Sequence, residues 1–402
     1  MVTLRSIEAA AERLSPTIYR SPLVYSETLS GLTGNSIYLK LENLQMTGSF
    51  KERGALNKIL SLTDQQRRAG VVAASAGNHG QAVAYHAGRR GIPAEIWMPK
   101  HTPLIKHTAT RAYGAEVVLF GANYDEAYAG AVERCAEKQA ALLHAFDDEE
   151  VIAGQGTIGL EMMEQNPGLD VIVVPVGGGG LAAGVGCAVK GRNPNVEVIG
   201  VQTAKLPSMK AALAERAPVS IPAATTLADG IAVRRAGAHT LPLVQQYVDD
   251  ILTVDDEEIA TAILVLLERE KTLAEGAGAA GLAAVLSGQL NHRARKVGIV
   301  ISGGNLDVSL LSRIIERGLV RDGRRLRLNV RLPDHPGALE SLASVIAAAR
   351  ANIVETFHNR AHYGVTLSET AIDITMETRG REHVTEIERA LHNGGFEFTR
   401  IE

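Results

Sequence analysis

The sequence predicts an α/β fold followed by a separate, smaller βαββαβ module, and three observations support this prediction. Short apolar segments alternate with longer helical segments from about residue 35 to residue 320. Several of the apolar segments lack polar alternation, which is typical of parallel strands covered on both faces. Beyond residues 318–325 the pattern changes to strict alternation, which is typical of a half-buried antiparallel strand.

Seven apolar segments of the first region are predicted to be strands. They are residues 36–43, 70–75, 94–99, 115–120, 171–180, 196–202 and 296–305. Residues 81–90 and 126–141 are Ala-rich and predict helices between them. Ligands of open α/β sheets lie at the carboxyl ends of strands, so we expect sites at residues 75–80, 177–181 and 302–305.

The end of the chain predicts a ferredoxin-like module with the order βαββαβ. Its predicted elements are a strand at 326–332, a helix through Leu339 and Ile346, strands at 352–362 and 369–378, a helix through Val384 and Leu391, and a strand at 396–402. We predict a linker at 318–325 and a regulatory domain at 326–402.

Composition excludes several classes of protein. Of the 402 residues, 46% are hydrophobic and 21% are charged, which is ordinary for globular chains, and the net charge of −4 gives no basic excess for nucleic acid. Cys135 and Cys187 cannot form a disulfide framework or a metal cluster, which indicates a reducing compartment. We find no signal peptide and no membrane-spanning run, so we expect a cytoplasmic protein without membrane or nucleic-acid partners.

A glycine-rich loop follows one predicted strand directly. Gly177, Gly178, Gly179 and Gly180 precede a helix that starts at Leu181, so backbone N–H groups and the helix N-terminus can converge on a phosphate. Neither the dinucleotide fingerprint nor P-loop spacing is present, which favours a small phosphorylated cofactor over NAD or ATP. A flexible linker is the alternative, although it would not separate a buried strand from an apolar helix.

Two other strand ends offer hydrogen-bond donors. Backbone groups at Ser75, Gly77 and Asn78 can bind a carboxylate, and the Asn78 side chain can bind a ring hydroxyl. Ser302 stands beside Gly303, where backbone can approach a ligand closely. Each segment alone is equally consistent with an N-capped helix that binds nothing.

Lys51 lies between a glycine-containing turn and a predicted helix. A lysine in a dry pocket has a lowered pKa, and its neutral amine can condense with an aldehyde. Phe50 could cover the face of an aromatic ring. A reactive lysine, a phosphate loop, a ring-hydroxyl donor and a small hydroxyl donor together indicate pyridoxal 5′-phosphate as the cofactor.

These segments resemble a known enzyme family. TGSFKERGA, SAGNHGQ, VPVGGGGL, ADGIAV, LAEGAGA and VISGGN occur here in the order found in fold-type II pyridoxal-phosphate enzymes, and the chain is most similar to the threonine dehydratases over roughly residues 5–320. LPDHPGALESLASVI and ANIVETFHNR are similar to an ACT domain. The resemblance implies a tryptophan-synthase-β-like, three-layer catalytic domain at 1–320, with a small subdomain at about 45–147 inserted in a large one.

The resemblance also implies roles for individual residues. Lys51 would bind the cofactor covalently, Phe50 would stack on its ring, and Asn78 would contact the ring hydroxyl. The phosphate would be held by Gly177, Gly178, Gly179, Gly180 and Leu181. Ser302 would face the pyridine nitrogen, and a neutral hydroxyl there suits loss of a β-substituent over transamination. Glu275 would also face the active site.

The expected substrate is an amino acid. The backbone of Ser75, Ala76, Gly77, Asn78 and His79 would hold its carboxylate. The freed Lys51 amine would remove the Cα proton, and threonine would give 2-oxobutanoate and ammonia. Serine would give pyruvate.

Two departures from related patterns limit the alternatives. Serine racemases of this fold carry a hydroxyl-bearing residue where this chain has Ala76, so racemisation is disfavoured. Gln202 ends the strand after which some relatives bind a divalent cation, and the next acidic residue is Glu215, so no metal is predicted. A β-replacement synthase and a non-catalytic amino-acid sensor remain as further alternatives.

The regulatory module predicts an effector and an assembly. We expect a branched-chain amino acid, isoleucine or valine by analogy, near Asp334, Gly337 and Asn352, because a helix N-terminus there offers free donors. A ferredoxin-like module often pairs with a copy of itself, so we expect a homodimer or homotetramer.

Overall fold

Two sheets of mainly parallel strands organise the first part of the chain. The structure, a computed structural model, describes residues 1–290, 293–359 and 368–401. It contains two compact units, Met1–Leu306 and Asp307–Glu402. Among the described residues no helix is long and apolar enough to cross a membrane.

The first unit alternates helices and strands along most of its length. Its elements are α1 (Leu4–Leu14), β1 (Leu23–Ser26), α2 (Glu27–Thr33), β2 (Ser36–Leu41), α3 (Lys51–Leu60), α4 (Asp64–Ala69), β3 (Val71–Ala74), α5 (Asn78–Gly88), β4 (Ala94–Met98), α6 (Leu104–Ala112), β5 (Glu116–Leu119), α7 (Tyr124–Lys138), β6 (Ala141–Leu142), α8 (Glu149–Gln165), β7 (Val171–Pro175), α9 (Gly180–Arg192), β8 (Glu197–Thr203), α10 (Ser208–Glu215), α11 (Thr240–Tyr247), β9 (Asp250–Val254), α12 (Asp256–Arg269), α13 (Gly276–Leu286) and β10 (Lys296–Ile301).

The larger sheet has six strands in the order β1-β2-β10-β7-β8-β9. β1 is antiparallel to β2, and the other neighbours are parallel. Every residue of β7 is buried, as the absence of polar alternation predicted. Because β7 and β10 are parallel neighbours, the glycine loop after β7 and Ser302 after β10 lie at the same edge of the sheet.

The smaller sheet has four parallel strands in the order β5-β4-β3-β6. β3 is central and fully buried, and it ends immediately before Ser75. A hydrophobic cluster from α3, α5 and the strands covers one face. The short strands β1, β6 and β9 were not predicted from the sequence, and β6 has only two residues, too few for a periodic pattern.

Backbone contacts fix the start of α3. Ser49 forms an isolated bridge with Gly303, and the Phe50 N–H donates to the Ser302 carbonyl at 3.0 Å. Gly48 has φ of +74°, and a Cβ there would lie 2.5 Å from Asn305 Oδ1, so this turn requires glycine. The loop before α3 is therefore held against the end of β10.

The second unit contains the elements α14 (Val308–Arg321), β11 (Arg325–Pro333), α15 (Ala338–Ala348), β12 (Asn352–Asn359), β13 (Glu369–Glu377), α16 (Arg381–Asn393) and β14 (Glu397–Arg400). Its strands form an antiparallel sheet in the order β12-β13-β11-β14. From β11 onward the order is β-α-β-β-α-β. Alternate residues of β11 are buried, as the alternating pattern predicted. Residues 360–362 of the predicted second strand, and Glu402, lie outside the described residues.

The predicted linker at 318–325 is wrong in its extent. α14 continues to Arg321 and β11 begins at Arg325, so only residues 322–324 lie between these elements. Asp307 caps α14 through the N–H groups of Ser309 and Leu310, and the second compact unit begins at this cap. The charged residues of this region resemble the composition of a linker, but Arg321 belongs to α14 and Arg325 to β11.

Candidate active site

One cavity of about 910 Å³ opens at the carboxyl ends of β3, β7 and β10. It is lined by every residue that the sequence assigned to cofactor or substrate. These residues are Phe50, Lys51, Ser75, Ala76, Gly77, Asn78, His79, Gly177, Gly178, Gly179, Gly180, Leu181, Glu275 and Ser302. The fold therefore brings together segments that are up to about 250 positions apart in the sequence, because strands of both sheets end beside the same cavity.

Lys51 is the first residue of α3, and its side chain points into the cavity. Its Nζ donates to the Ala145 carbonyl at 2.7 Å and lies 5.0 Å from the centre of the Phe50 ring. Burial lowers the pKa of Lys51 to about 8, although the Glu275 carboxylate acts in the opposite direction. A substantial fraction of this amine is therefore neutral and nucleophilic in mildly basic solution.

Glu275 and Asn78 form a hydrogen-bonded pair beside Ser302. The Asn78 Nδ2 donates to Glu275 Oε1 at 2.6 Å, and Asn305 Nδ2 donates to Asn78 Oδ1 at 2.8 Å. Burial, with the neighbouring Asp229, raises the pKa of Glu275 to about 7. Asn305 was not predicted as a site residue, although it ends the VISGGN segment that drew attention to Ser302.

The raised pKa of Glu275 predicts a pH-dependent stability. In the unfolded chain Glu275 titrates near its ordinary value of 4.5, so its stabilising contribution is complete below that pH and is lost as pH rises through about 7. We expect the free energy of unfolding of the apoprotein to fall between pH 4.5 and 7. Over this pH range the free energy of unfolding of Glu275→Gln should fall by about 1–3 kcal/mol less than that of the wild type.

Urea denaturation of both proteins at several pH values measures this difference. The matched control is Glu164→Gln, because Glu164 is half exposed and pairs with Arg20 on the surface. Parallel pH profiles for the wild type and Glu275→Gln would show that Glu275 titrates normally.

The glycine loop requires glycine for two separate reasons. Gly179 is the N-cap of α9 with φ of +100°, a conformation that side chains strongly disfavour. A Cβ on Gly178 would lie 2.3 Å from the Phe146 ring, and one on Gly180 would lie 2.7 Å from the Phe146 carbonyl. Phe146 therefore packs directly beneath the loop, a contact that no local motif could have indicated.

The segment from Ser75 to His79 joins β3 to α5. The Gly77 N–H donates to Ser75 Oγ at 3.2 Å, and Ser75, Ala76 and Gly77 are partly accessible from the cavity. His79 is buried, and its Nε2 lies 2.8 Å from the Leu143 carbonyl. Burial and the nearby Lys51 lower the pKa of His79 to about 3, which favours a neutral ring whose N–H donates to the Leu143 carbonyl.

Two ion pairs border the cavity. Lys106 of α6 pairs with Asp229 at 2.7 Å, and Asp125 of α7 pairs with Arg234 at 2.9 Å. Each pair joins a helix that packs near the smaller sheet to the segment that precedes α11. The sequence identified the segment with Asp229 as a family motif but indicated no role for it.

No group of three or more His, Cys, Asp or Glu side chains that could hold a metal occurs in the part of the chain that the structure describes. After β8, Lys205 pairs with Asp256 at 2.7 Å. Asp256 Oδ1 also accepts from Thr226 Oγ1 at 2.6 Å and from the Leu227 N–H at 3.0 Å. A lysine therefore supplies the positive charge beside this carboxylate.

The three predicted effector residues do not meet within one copy of the second unit. Asp334 and Gly337 follow the end of β11 that pairs with Glu369, whereas Asn352 pairs with Glu377 at the opposite end of β13. Within a single chain α15 therefore separates Gly337 from Asn352 along the sheet. Asn352 instead donates to Glu377 at 3.0 Å.

A family model of pyridoxal-phosphate dependent enzymes matches residues 14–303. The chain therefore belongs to the pyridoxal-phosphate dependent enzymes. It is 51% identical to the L-threonine ammonia-lyase of Thermotoga maritima over 397 residues, which cover 99% of each chain.

Solved structures show the same likeness for the first part of the chain. The processed form of threonine deaminase isoform 2 from Solanum lycopersicum is 36% identical, with a TM-score of 0.75 over 78% of this chain and 86% of its own. Maize serine racemase is 35% identical, with a TM-score of 0.75 over 80% of this chain and 98% of its own. The core is thus the α/β fold of the fold-type II enzymes.

The cavity fits pyridoxal phosphate. The glycine loop offers backbone N–H groups where side chains would collide with Phe146, which suits a phosphate approached by backbone alone. Lys51 offers an amine with a lowered pKa, and Asn78 and Ser302 offer polar groups on the same side of the cavity. When bound, the cofactor supplies an aldehyde for an amine and a conjugated ring that withdraws electrons from the substrate Cα.

Proposed function

We propose that the chain is a threonine ammonia-lyase, which converts L-threonine to 2-oxobutanoate and ammonia by α,β-elimination and accepts L-serine to give pyruvate. The observation that carries the proposal is the 51% identity to an L-threonine ammonia-lyase over 99% of both chains. The partly buried Lys51 amine in the cavity of a pyridoxal-phosphate enzyme supplies the base that this reaction needs.

The residues of the cavity divide the work. Lys51 binds the cofactor and, once an amino acid has displaced it, takes the proton from Cα. The backbone N–H groups from Ser75 to His79, at the start of α5, bind the substrate carboxylate. Glycines 177–180 and Leu181 bind the phosphate, and Ser302 faces the ring nitrogen. The contact of Asn78 with Glu275 orients the amide that meets the ring hydroxyl.

Serine racemase is the alternative that a specific observation favours, because maize serine racemase has a similar fold at 35% identity. Racemisation requires a proton donor on the face of Cα opposite the lysine. Ala76 has no hydroxyl, and the ring of the nearby His79 is neutral and donates to the Leu143 carbonyl. Elimination needs no donor on that face, so Ala76 supports the lyase.

We also propose that the second unit is an ACT domain that binds an amino acid between two copies of the chain. Its βαββαβ order and sheet order support this assignment. Within one copy, Asp334 and Gly337 lie at the end of the sheet opposite Asn352. We therefore place the effector between Asp334 and Gly337 of one copy and Asn352 of another. The exposed Val354 and Phe357 on the edge strand β12 support a homodimer or homotetramer.

Cys135 and Cys187 are free, which supports the predicted cytoplasmic location.

One steady-state comparison tests both proposals. We expect 2-oxobutanoate and ammonia from threonine in equal amounts, with a kcat/KM for threonine at or above that for serine. Isoleucine or valine should change the KM for threonine. Racemised amino acid without keto acid would contradict the lyase, and kinetics unaffected by branched-chain amino acids would contradict the effector proposal.

A further inference from the structure

A short segment after β6, residues 143–147, contacts several parts of the cavity wall. The Leu143 carbonyl accepts a hydrogen bond from His79 Nε2 at 2.8 Å, and the Ala145 carbonyl accepts one from Lys51 Nζ at 2.7 Å. Phe146 packs beneath the glycine loop. The Asp147 side chain is directed at a different element, the N-terminus of α11.

Asp147 is fixed on both its backbone and its side chain. Its N–H donates to His144 Nδ1 at 2.7 Å, which holds the backbone in place. Its carboxylate accepts from the backbone N–H groups of Ala238 at 2.9 Å, His239 at 2.8 Å and Thr240 at 3.2 Å. Asp147 thus satisfies the free donors at the start of α11 from a position about 90 residues earlier in the chain.

Thr240, the first residue of α11, contacts the glycine loop. Its side chain is fully buried, and its Oγ1 donates to the Gly178 carbonyl at 2.6 Å. The Gly237 N–H donates to the same carbonyl at 3.3 Å. Thr240 also lies against Gly179, where a Cβ would come within 2.9 Å of Thr240 Oγ1.

This hydrogen bond sets the direction of one peptide plane. In a planar trans peptide the carbonyl of one residue and the N–H of the next point in opposite directions. The Gly178 carbonyl points at Thr240, which does not line the cavity, so the Gly179 N–H points away from Thr240. Glycine at both positions would let this peptide rotate freely if nothing held it.

We propose that Thr240, held by Asp147, is a positioning residue that fixes the Gly178–Gly179 peptide so that its N–H faces the cofactor phosphate. Without the Thr240 hydroxyl, the Gly178 carbonyl keeps only the longer contact with the Gly237 N–H at 3.3 Å, and the peptide can rotate to present a carbonyl oxygen to an anion. The inference rests on the proposed role of the glycine loop as the phosphate site. Thr240 does not line the cavity, and Asp147, which does, acts in this arrangement through the backbone N–H groups at the start of α11.

The test compares Thr240→Val with the wild type in binding two probes, pyridoxal 5′-phosphate and pyridoxal. Both probes can react with Lys51, but pyridoxal lacks the phosphate. Titration of apoprotein, followed by visible absorbance, gives the two dissociation constants. We expect Thr240→Val to raise the constant for pyridoxal 5′-phosphate by about tenfold and to leave that for pyridoxal within about twofold. Thr240→Ser keeps the hydroxyl and should restore wild-type binding.

Asp147→Ala provides a second, independent variant. It removes a negative charge near the phosphate, so a purely electrostatic role predicts tighter binding, whereas a positioning role predicts weaker binding of pyridoxal 5′-phosphate alone. The matched control is Asp255→Asn, because Asp255 caps α12 in the same way through Glu257 and Glu258 and does not line the cavity. We expect the control to bind both probes normally.

The outcomes separate this inference from the function on which it rests. Equal weakening of both probes in Thr240→Val, or no weakening of either, overturns the positioning role. Wild-type protein that binds both probes equally shows instead that the glycine loop does not hold the phosphate. Tighter binding of pyridoxal 5′-phosphate by Asp147→Ala would mean that Asp147 acts through its charge, which overturns its positioning role.

Discussion

Lys51→Ala is expected to lower ammonia release from threonine by roughly 10³-fold or more, because it removes both the covalent attachment of the cofactor and the base for Cα. The visible absorbance band of the purified protein should disappear with it. Ammonia assays and absorbance spectra of protein reconstituted with the cofactor measure the two effects.

Lys106→Ala is the control for this experiment. Lys106 also lines the cavity, but its Nζ is paired with Asp229 at 2.7 Å and its side chain is one-third exposed. The control variant should therefore keep the absorbance band. Retention of both the band and the activity in Lys51→Ala would refute the assignment of Lys51.

Arg53→Met is expected to lower the free energy of unfolding by about 3–5 kcal/mol. The Arg53 guanidinium is 1% exposed and bonds Glu42 at 2.7 Å and Glu161 at 2.7 Å. Lys40, also buried, bonds the same Glu161 at 2.6 Å. Removal of Arg53 leaves the fully buried Glu42 carboxylate without its cationic partner, and the cost of that unpaired charge exceeds the gain from a well-packed Met.

Chemical denaturation of Arg53→Met and of a surface control measures this cost. Arg20→Met is the control, because Arg20 pairs with Glu164 at 2.8 Å with both side chains more than half exposed. Such exposed pairs contribute about 0–1 kcal/mol. Adding Glu42→Gln to Arg53→Met should recover part of the loss, since it removes the unpaired charge. Equal effects of Arg53→Met and Arg20→Met would contradict the role of the buried network.

The residues that line the cavity could be predicted because their signals are local. Lys51 follows a glycine turn, and the glycine loop and Ser302 each end a buried apolar strand. Parallel strands place such ends at one edge of a sheet, so the position of the cavity could be predicted from the strands and the few residues that follow each of them. The alternation that predicted β11 succeeded for a similar reason, because one face of that strand is buried.

The supporting contacts could not be predicted, because they join distant segments. Phe146 packs beneath the glycine loop, and Thr240, which Asp147 holds, donates a hydrogen bond to it. None of these three residues belongs to a motif. Arg53, in the opening turn of α3, is a further example. Its burial depends on Glu161, which is 108 positions away in the sequence. Asp334 and Gly337 precede α15 and Asn352 follows it, so within one chain the predicted effector residues lie at opposite ends of that helix.

The central claim is that the Lys51 amine, in this cavity, is the group that binds pyridoxal phosphate. Borohydride reduction of the holoenzyme, followed by proteolysis and mass spectrometry of the peptides, tests it most directly. We predict one phosphopyridoxyl group per chain, on the peptide that contains Lys51. Label on another lysine, such as Lys106, or no covalent label on a protein that still releases ammonia from threonine, would contradict it.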